Sequence, residues 1–180
     1  MGPHTHKNYP RYNFENHSKW SQKKIVALKQ GTPMPQNTNV KPHGLWYSLY
    51  SAWVSWGKVT HGKHIHKITF HPNVHMMWQV SQHATRSHPN KIVVLRTFDD
   101  VRQFNQRYGV ILHNNTTIQW KKVAKQYGGI EFRHYQTIRK HIRENHLTDD
   151  YLWYLSIDVS SGCVWNPALV LDIEYVFDKE

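Results

Sequence analysis

The chain has 180 residues, enough for one domain with a hydrophobic core but cramped for two. Hydrophobic residues make up 39% and aromatic residues 13%, which argues against a disordered chain. No apolar run is long enough to span a membrane, and the first twenty residues lack the apolar block of a secretory signal. Together with a single cysteine, Cys163, these features predict an intracellular protein of the cytoplasm or nucleus.

The positive charge is concentrated in the first half of the chain, although the whole chain has a formal net charge of +11. Residues 1–98 hold 13 Lys and Arg side chains against one acid, a net charge of +12. Residues 99–180 hold 10 basic and 11 acidic side chains, a net charge of −1. This excess predicts a polyanionic partner, which is a nucleic acid or a phosphorylated ligand, and leaves an acidic protein partner open.

The first elements follow a polar, His- and Asn-rich segment, residues 1–23, that is typical of an N-terminal arm. The remaining residues, 24–180, are predicted to form one domain. Prolines interrupt the chain between residues 33 and 42, which indicates a loop. The elements predicted around it are a strand over 25–28, an aromatic strand or turn over 44–48, and a short helix from 49 to 56.

Strand-forming residues dominate the next part of the chain. Two strands are predicted between 61 and 80, separated at 71–73, and a buried strand over 91–97. Thr97 and Asp100 have the spacing of a capping box, which predicts that a helix begins there. Apolar residues then recur on one helical face until Gly109, where the helix should end.

The last third of the chain alternates between helical and extended patterns. The predicted elements are a helix over 117–127, a strand over 130–135, a helix over 135–146, and strands over 153–159, 164–165 and 169–177. No internal repeat is present. The sequence therefore predicts an α+β domain with short strands in mixed or antiparallel sheets and three to four helices.

Five histidines fall within fifteen residues, between His61 and His75. His64 and His66 would share one face of a strand, so they could ligate Zn²⁺ with help from His71 or His75. No carboxylate or cysteine lies nearby and no known zinc spacing is met. We therefore expect no metal and interpret the histidines as a basic or hydrogen-bonding surface.

Motifs for common enzyme chemistries are absent from the sequence. There is no G-x-S-x-G elbow, no phosphate-binding P-loop and no G-x-G-x-x-G turn. Cys163 is better explained as a buried structural cysteine than as a nucleophile. Among the few acids, Glu131 and Asp158 lie in strand-like segments beside glycine or small residues. Each carboxylate is either half-exposed on a sheet or placed in a cleft.

Three segments suggest a resemblance. The first is Lys41–Ser48 (KPHGLWYS), the second is Val94–Thr97 (VLRT) with the helix predicted after it, and the third joins Tyr127–Glu131 (YGGIE) and Ile157–Asn166 (IDVSSGCVWN). In this order they resemble poorly characterised small proteins of viruses and microbes with K-P-x-G-L-W-x-S and W-D-x-x-S-G-x-x-W segments. The layout of those proteins is similar to that of the ADP-ribosyltransferase superfamily, a split mixed β fold that clasps NAD⁺. The resemblance covers about residues 24–170.

The resemblance implies a site for each part of NAD⁺. Aromatic and hydroxyl residues would hold the nicotinamide, and a late carboxylate would anchor a ribose hydroxyl and favour the oxocarbenium-like state as nicotinamide leaves. The implied catalytic residues are Glu131, Asp158, His43 and Ser48, with Glu131 the preferred carboxylate. The implied cofactor-binding residues are Trp46, Tyr47, Lys29 and Ser160.

Two classes of function therefore stay open. The first is an enzyme that transfers ADP-ribose from NAD⁺ to a protein or nucleic acid, or hydrolyses NAD⁺. The second is a non-enzymatic nucleic-acid-binding or viral structural protein, whose basic first half contacts phosphates and stacks bases on aromatic rings. A toxin-like nuclease that uses His43 or the 61–75 histidines as acid and base is a further alternative.

Overall fold

The computed structural model of the chain describes residues 17–21, 32–38, 40–49, 52, 64–78 and 87–178. Ten strands are present in these residues: β1 His17–Ser21, β2 Leu45–Ser48, β3 His64–Phe70, β4 His75–Met77, β5 His88–Leu95, β6 Gly109–Leu112, β7 Asn115–Ile118, β8 Tyr127–Phe132, β9 Ser161–Val164 and β10 Val170–Asp178. The same residues contain four α-helices: α1 Phe98–Tyr108, α2 Trp120–Ala124, α3 Tyr135–Glu144 and α4 Leu152–Leu155. The α+β class is confirmed.

Eight of the strands form one mixed sheet in the order β10-β3-β1-β2-β9-β8-β5-β4. β4, β5 and β8 pair in parallel, and every other neighbouring pair in this sheet is antiparallel. The central parallel strand β5 ends in Ile92–Leu95, four residues without solvent exposure. Burial on both faces is typical of parallel strands because helices or further chain must cover both sides.

The register of the strands separates two faces of the sheet. Tyr47, Gly162 and Glu131 are successive partners across β2, β9 and β8, so they share one face, here named the Glu131 face. The residues one position away along each strand point to the opposite, helical face. That face packs against an aromatic core that includes Phe104, Trp120, Trp153 and Trp165.

Helix α1 begins as the sequence predicts. The Asp100 backbone N–H donates to Thr97 Oγ1 at 3.1 Å, and the Thr97 N–H donates to Asp100 Oδ2 at 3.2 Å. This capping box satisfies donors that would otherwise have no partner in the first turn. At the other end the Gly109 N–H donates to the Asn105 carbonyl, where the helix stops.

The helix predicted over 117–127 is shorter in the structure because its first residues belong to a hairpin. Strands β6 and β7 pair antiparallel, with Gly109 opposite Ile118 and Leu112 opposite Asn115. The turn residues His113 and Asn114 both have positive φ angles, 49° and 64°. Two successive left-handed residues match the right-handed twist of a two-residue hairpin. Only Trp120–Ala124 remains as helix α2.

Two further predictions in the last third are wrong in detail. The strand β8 begins at Tyr127 and contains Gly128 and Gly129, which the sequence analysis placed at the end of a helix. The strand predicted over 153–159 is helix α4 followed by a turn. Trp153 and Tyr154 are buried on that helix, so their strand propensity yields to packing against the aromatic core.

The N-terminal segment contributes a strand to the sheet. β1 lies between β2 and β3, within the segment that the sequence analysis treated as an arm. The strand predicted over 25–28 lies outside the described residues, as does the helix predicted over 49–56 apart from Leu49 and Ala52. Other strand predictions correspond to strands of the structure. The strand predicted over 44–48 is β2, and the two predicted between 61 and 80 are β3 and β4. The strands predicted over 91–97 and 169–177 are β5 and β10.

Candidate functional site

A buried carboxylate with three polar neighbours lies on the Glu131 face. Glu131 has no solvent exposure. Its Oε2 accepts a hydrogen bond from the Tyr47 hydroxyl at 3.2 Å and lies 3.1 Å from His75 Nε2. Its Oε1 accepts from Arg133 Nε at 2.6 Å. These four residues are named the Glu131 cluster.

A glycine allows Tyr47 to reach this carboxylate. Tyr47 and Glu131 lie on β2 and β8, and Gly162 of the intervening strand β9 is the register partner of both. A Cβ atom at Gly162 would collide with the Tyr47 ring and hydroxyl. The tyrosine therefore lies across a position on β9 that carries no side chain. The absence of a side chain at Gly162 is thus a structural condition for the cluster.

The charges in the cluster explain how a carboxylate can be buried. An isolated ionised carboxylate is costly to bury unless it is paired and hydrogen-bonded. Arg133 supplies a guanidinium and Tyr47 supplies a hydroxyl donor. Burial raises the pKa of Tyr47 well above its usual value, and the nearby Glu131 carboxylate raises it further. Tyr47 is therefore neutral over the whole physiological range, and its hydroxyl keeps the proton with which it donates a hydrogen bond to Glu131.

Two members of the cluster reach the surface. The His75 side chain is 25% exposed and the Arg133 side chain 29%, whereas Glu131 is fully covered. The Phe70 ring lies edge-on to the His75 ring at 5.5 Å between centroids and 5.0 Å from the Tyr47 ring. Phe70 thus covers part of the cluster with apolar surface. A ligand would meet the imidazole and the guanidinium first.

Two residues implied by the resemblance lie on the other side of the sheet. Side chains alternate along β2, so Trp46 and Ser48 point to the helical face when Tyr47 points to Glu131. Ser48 is fully buried opposite Ser161 of β9. Trp46 is half-buried, and its indole N–H donates to the Pro42 carbonyl at 3.1 Å. The structure does not bring these two residues together with Glu131.

The other residues implied by the resemblance have their contacts outside the Glu131 cluster. Asp158 is exposed, has a φ of 77°, and forms an ion pair with Lys41 at 3.3 Å. His43 is exposed and lies 3.4 Å from the Pro35 carbonyl through Nδ1. Ser160 Oγ accepts from the Tyr135 backbone N–H at 3.1 Å, at the start of helix α3. Lys29 lies outside the described residues.

Two residues of the cluster, His75 and Arg133, are not among the site residues that the sequence implies. Arg133 stands two residues after Glu131 in an extended segment, a spacing that puts both side chains on one side of a strand. That spacing was therefore a usable signal. His75 comes from β4, two strands away from β8 in the sheet, and was considered only within the histidine group. Nothing local in the sequence pairs it with Glu131.

Two features are absent from the part of the chain that the structure describes. No group of three or more His, Cys, Asp or Glu side chains in them is arranged so that it could hold a metal ion. None of the helices in the same residues has the length and apolar character needed to cross a membrane. The five-histidine segment does contribute to the Glu131 cluster, through His75.

Among known proteins, no protein-family profile, curated protein or solved structure matches the chain. The residues of the Glu131 cluster therefore carry the functional proposal.

Proposed function

We propose that the protein is an ADP-ribosyltransferase-like enzyme that cleaves the N-glycosidic bond between nicotinamide and ribose in NAD⁺. The observation that carries this proposal is the fully buried Glu131 carboxylate held by Tyr47 and Arg133. A carboxylate fixed in a site with little water interacts strongly with positive charge that develops on a substrate. The intracellular placement expected from the sequence gives access to NAD⁺.

The reaction balances without another cofactor. The bond between ribose C1′ and the nicotinamide nitrogen breaks, and nicotinamide leaves with the bonding electron pair. A nucleophile on a protein or nucleic acid forms the new bond to C1′ and releases one proton. With water as the nucleophile, the products are ADP-ribose, nicotinamide and a proton.

Each cluster member has a role in this proposal. Glu131 is the charge-stabilising carboxylate. Because it is covered, it acts through the low-dielectric site on the positive charge that develops at the ribose as nicotinamide departs. Tyr47 is a positioning residue that holds Glu131 through its hydroxyl. Arg133 is partly exposed, and a guanidinium suits the paired oxygens of a pyrophosphate. His75 stands beside the carboxylate and can accept a proton from the incoming nucleophile.

Fewer of the implied residues lie beside Glu131 than the resemblance predicts. Trp46 and Ser48 lie on the helical face, so the aromatic surface nearest Glu131 belongs to Tyr47 and Phe70. Tyr47 is buried, whereas Phe70 is half-buried. We therefore assign Phe70 to the nicotinamide contact in place of Trp46. The ADP-ribosyltransferase-like fold is part of the same proposal.

The test is release of nicotinamide from labelled NAD⁺, measured with water, polypeptide and nucleic-acid acceptors. Glu131→Gln should lower the rate by about 100- to 1,000-fold, the usual effect of removing one group that stabilises transition-state charge. Asp158→Asn is the matched control because this exposed carboxylate is paired only with exposed Lys41 among the contacts described above. It should retain the rate within about two-fold, the size of an exposed pair's contribution.

Two outcomes would refute the proposal. One is no nicotinamide release from the intact protein with any acceptor class. The other is an equal loss of rate in the two variants while circular dichroism shows both to be folded.

A further inference from the structure

Helix α3 carries a basic surface away from the Glu131 cluster. A depression of about 310 Å³ runs along it and is lined by Gln136, Arg139, Lys140, Arg143 and Glu144. Three of the five lining side chains are cations and one is an acid. The acid, Glu144, lies 3.6 Å from Lys140, and both side chains are more than half exposed. An exposed pair of this kind is weak, so Lys140 can exchange Glu144 for a stronger anion.

The buried side of the same helix determines that these cationic side chains face outward. Tyr135, Ile138 and Ile142 are buried in the aromatic core. Residues on one side of a helix recur every three to four positions, so burial of these three leaves the intervening positions facing outward. Lys140 and Arg143 are exposed, and Arg139 is half-buried over the Tyr135 ring at 6.0 Å.

We propose that this α3 surface binds the phosphate backbone of a nucleic acid. Arg139 and Arg143 stand one turn apart, about 6 Å along the helix axis. Each strand of duplex DNA carries one phosphate for about every 3.4 Å of the helix axis, so two cations about 6 Å apart can contact phosphates of the same strand. A guanidinium also donates two parallel hydrogen bonds to a phosphate, which a single ammonium cannot do.

The exposed residues favour a nucleic acid over an anionic membrane. A helix that lies on a membrane inserts an apolar face among the lipids. On α3 the apolar side chains are already buried in the core, and the exposed ones are Gln136, Thr137, Lys140, His141, Arg143 and Glu144. The surface therefore has charge for phosphates but no apolar side chains to insert.

The α3 surface belongs to the half of the chain with net charge −1, so it is distinct from the basic first half. The proposal does not depend on the activity assigned to Glu131.

The test is binding of a fluorescent 20-base-pair duplex, measured by anisotropy at several salt concentrations. The test variant is the triple Arg139→Gln, Lys140→Gln, Arg143→Gln. The control is the triple Lys121→Gln, Lys122→Gln, Lys125→Gln, which removes the same charge from exposed positions in and just after α2. The single variant Arg143→Gln is included in case the α3 triple does not fold.

The α3 triple should weaken binding at least about ten-fold and reduce the slope of log affinity against log salt by about 2 to 3, because each phosphate contact contributes about 0.9. The control triple should weaken binding less than about three-fold, and Arg143→Gln alone should reduce the slope by about 1. Equal weakening by the two triples, or no duplex binding by the intact protein, would overturn the proposal. Binding to phosphatidylserine vesicles is measured as the last part of the test. If the α3 triple abolishes vesicle binding but leaves duplex binding unchanged, the surface binds a membrane and the proposal is wrong.

Discussion

The two faces of the sheet bury opposite kinds of side chain, apolar rings on one and a charged group on the other. On the helical face, large rings from α1, α2 and α4 pack together, and Phe104, Trp120 and Trp153 have essentially no exposure. On the Glu131 face, a carboxylate is equally buried and is held by polar partners across three strands. The first face is stabilised by apolar area and ring contacts, whereas the second depends on hydrogen bonds and charge pairing.

The difference favours the Glu131 face as the site of the chemistry that we propose. An apolar core needs no ionised group, and removing a buried ion pair in favour of hydrophobic residues is often neutral or stabilising. Stability alone therefore does not require a buried Glu131 with Arg133, Tyr47 and His75. Perturbed, buried polar groups of this kind concentrate at functional sites. The comparison can be tested by substitutions that should affect each face differently.

The largest effect is expected on the helical face, from Trp153→Ala. The Trp153 ring lies between 5.6 and 6.3 Å from the rings of Phe104, Trp120, Phe132 and Tyr154. Its indole N–H also donates to Asn105 Oδ1 at 2.8 Å. We expect the free energy of unfolding to fall by about 3–5 kcal/mol. Leu152→Ala at the exposed neighbouring position is the control and should cost less than about 0.5 kcal/mol, as measured by urea denaturation.

The next effect is expected on the Glu131 face, from Gly162→Ala. The added methyl group would collide with the Tyr47 ring, so the ring must move away from Glu131. We expect destabilisation of about 3 kcal/mol, at the upper end for overpacking. The same substitution in a Tyr47→Ala background should cost much less because the ring is gone. If the two substitutions are additive in denaturation experiments, the described contact does not position Tyr47.

Substitution of one buried tyrosine on each face compares the two faces most directly. Tyr47→Phe should cost about 2 kcal/mol because it removes a donor from a buried carboxylate. Tyr154 is buried on the helical face, and its hydroxyl has no hydrogen-bond partner in the described part of the chain. Tyr154→Phe should therefore be neutral or slightly stabilising. Thermal unfolding of the two variants side by side decides this, and equal losses would remove the distinction between the faces.

The sequence was informative where a local pattern determines an element. The Thr97 and Asp100 spacing placed the start of α1, and the apolar run from Lys91 placed β5. The hairpin β6–β7 was missed because its turn, His113-Asn114, lacks the glycine that usually marks two left-handed residues. Helix α4 was missed because aromatic residues favour strands until a tertiary core selects another conformation.

The site was predictable only in part, for a related reason. Glu131 stood out because acids are scarce and this one follows a glycine pair in a strand-like segment. The neighbours Trp46, Tyr47 and Ser48 could not be separated without the register of β2 against β9, which assigns Tyr47 to one face and the other two to the opposite face. The His75 contact depends on strand order across the sheet, and no local pattern encodes strand order.

The smallest effect is a pH dependence that Tyr47 and Tyr154 should share. Burial raises the pKa of Tyr154, and burial together with Glu131 raises that of Tyr47. Above about pH 10 the unfolded chain loses these protons while the folded chain keeps them, so stability is full below that pH and falls as the pH rises. Each tyrosine should contribute a loss of about 1.4 kcal/mol per pH unit. Urea denaturation between pH 7 and 11 should give a slope that either Phe variant reduces by this amount. Tyrosinate absorbance from Tyr47 or Tyr154 while near-ultraviolet circular dichroism remains native would contradict the prediction, because it would mean that the ring ionises without unfolding.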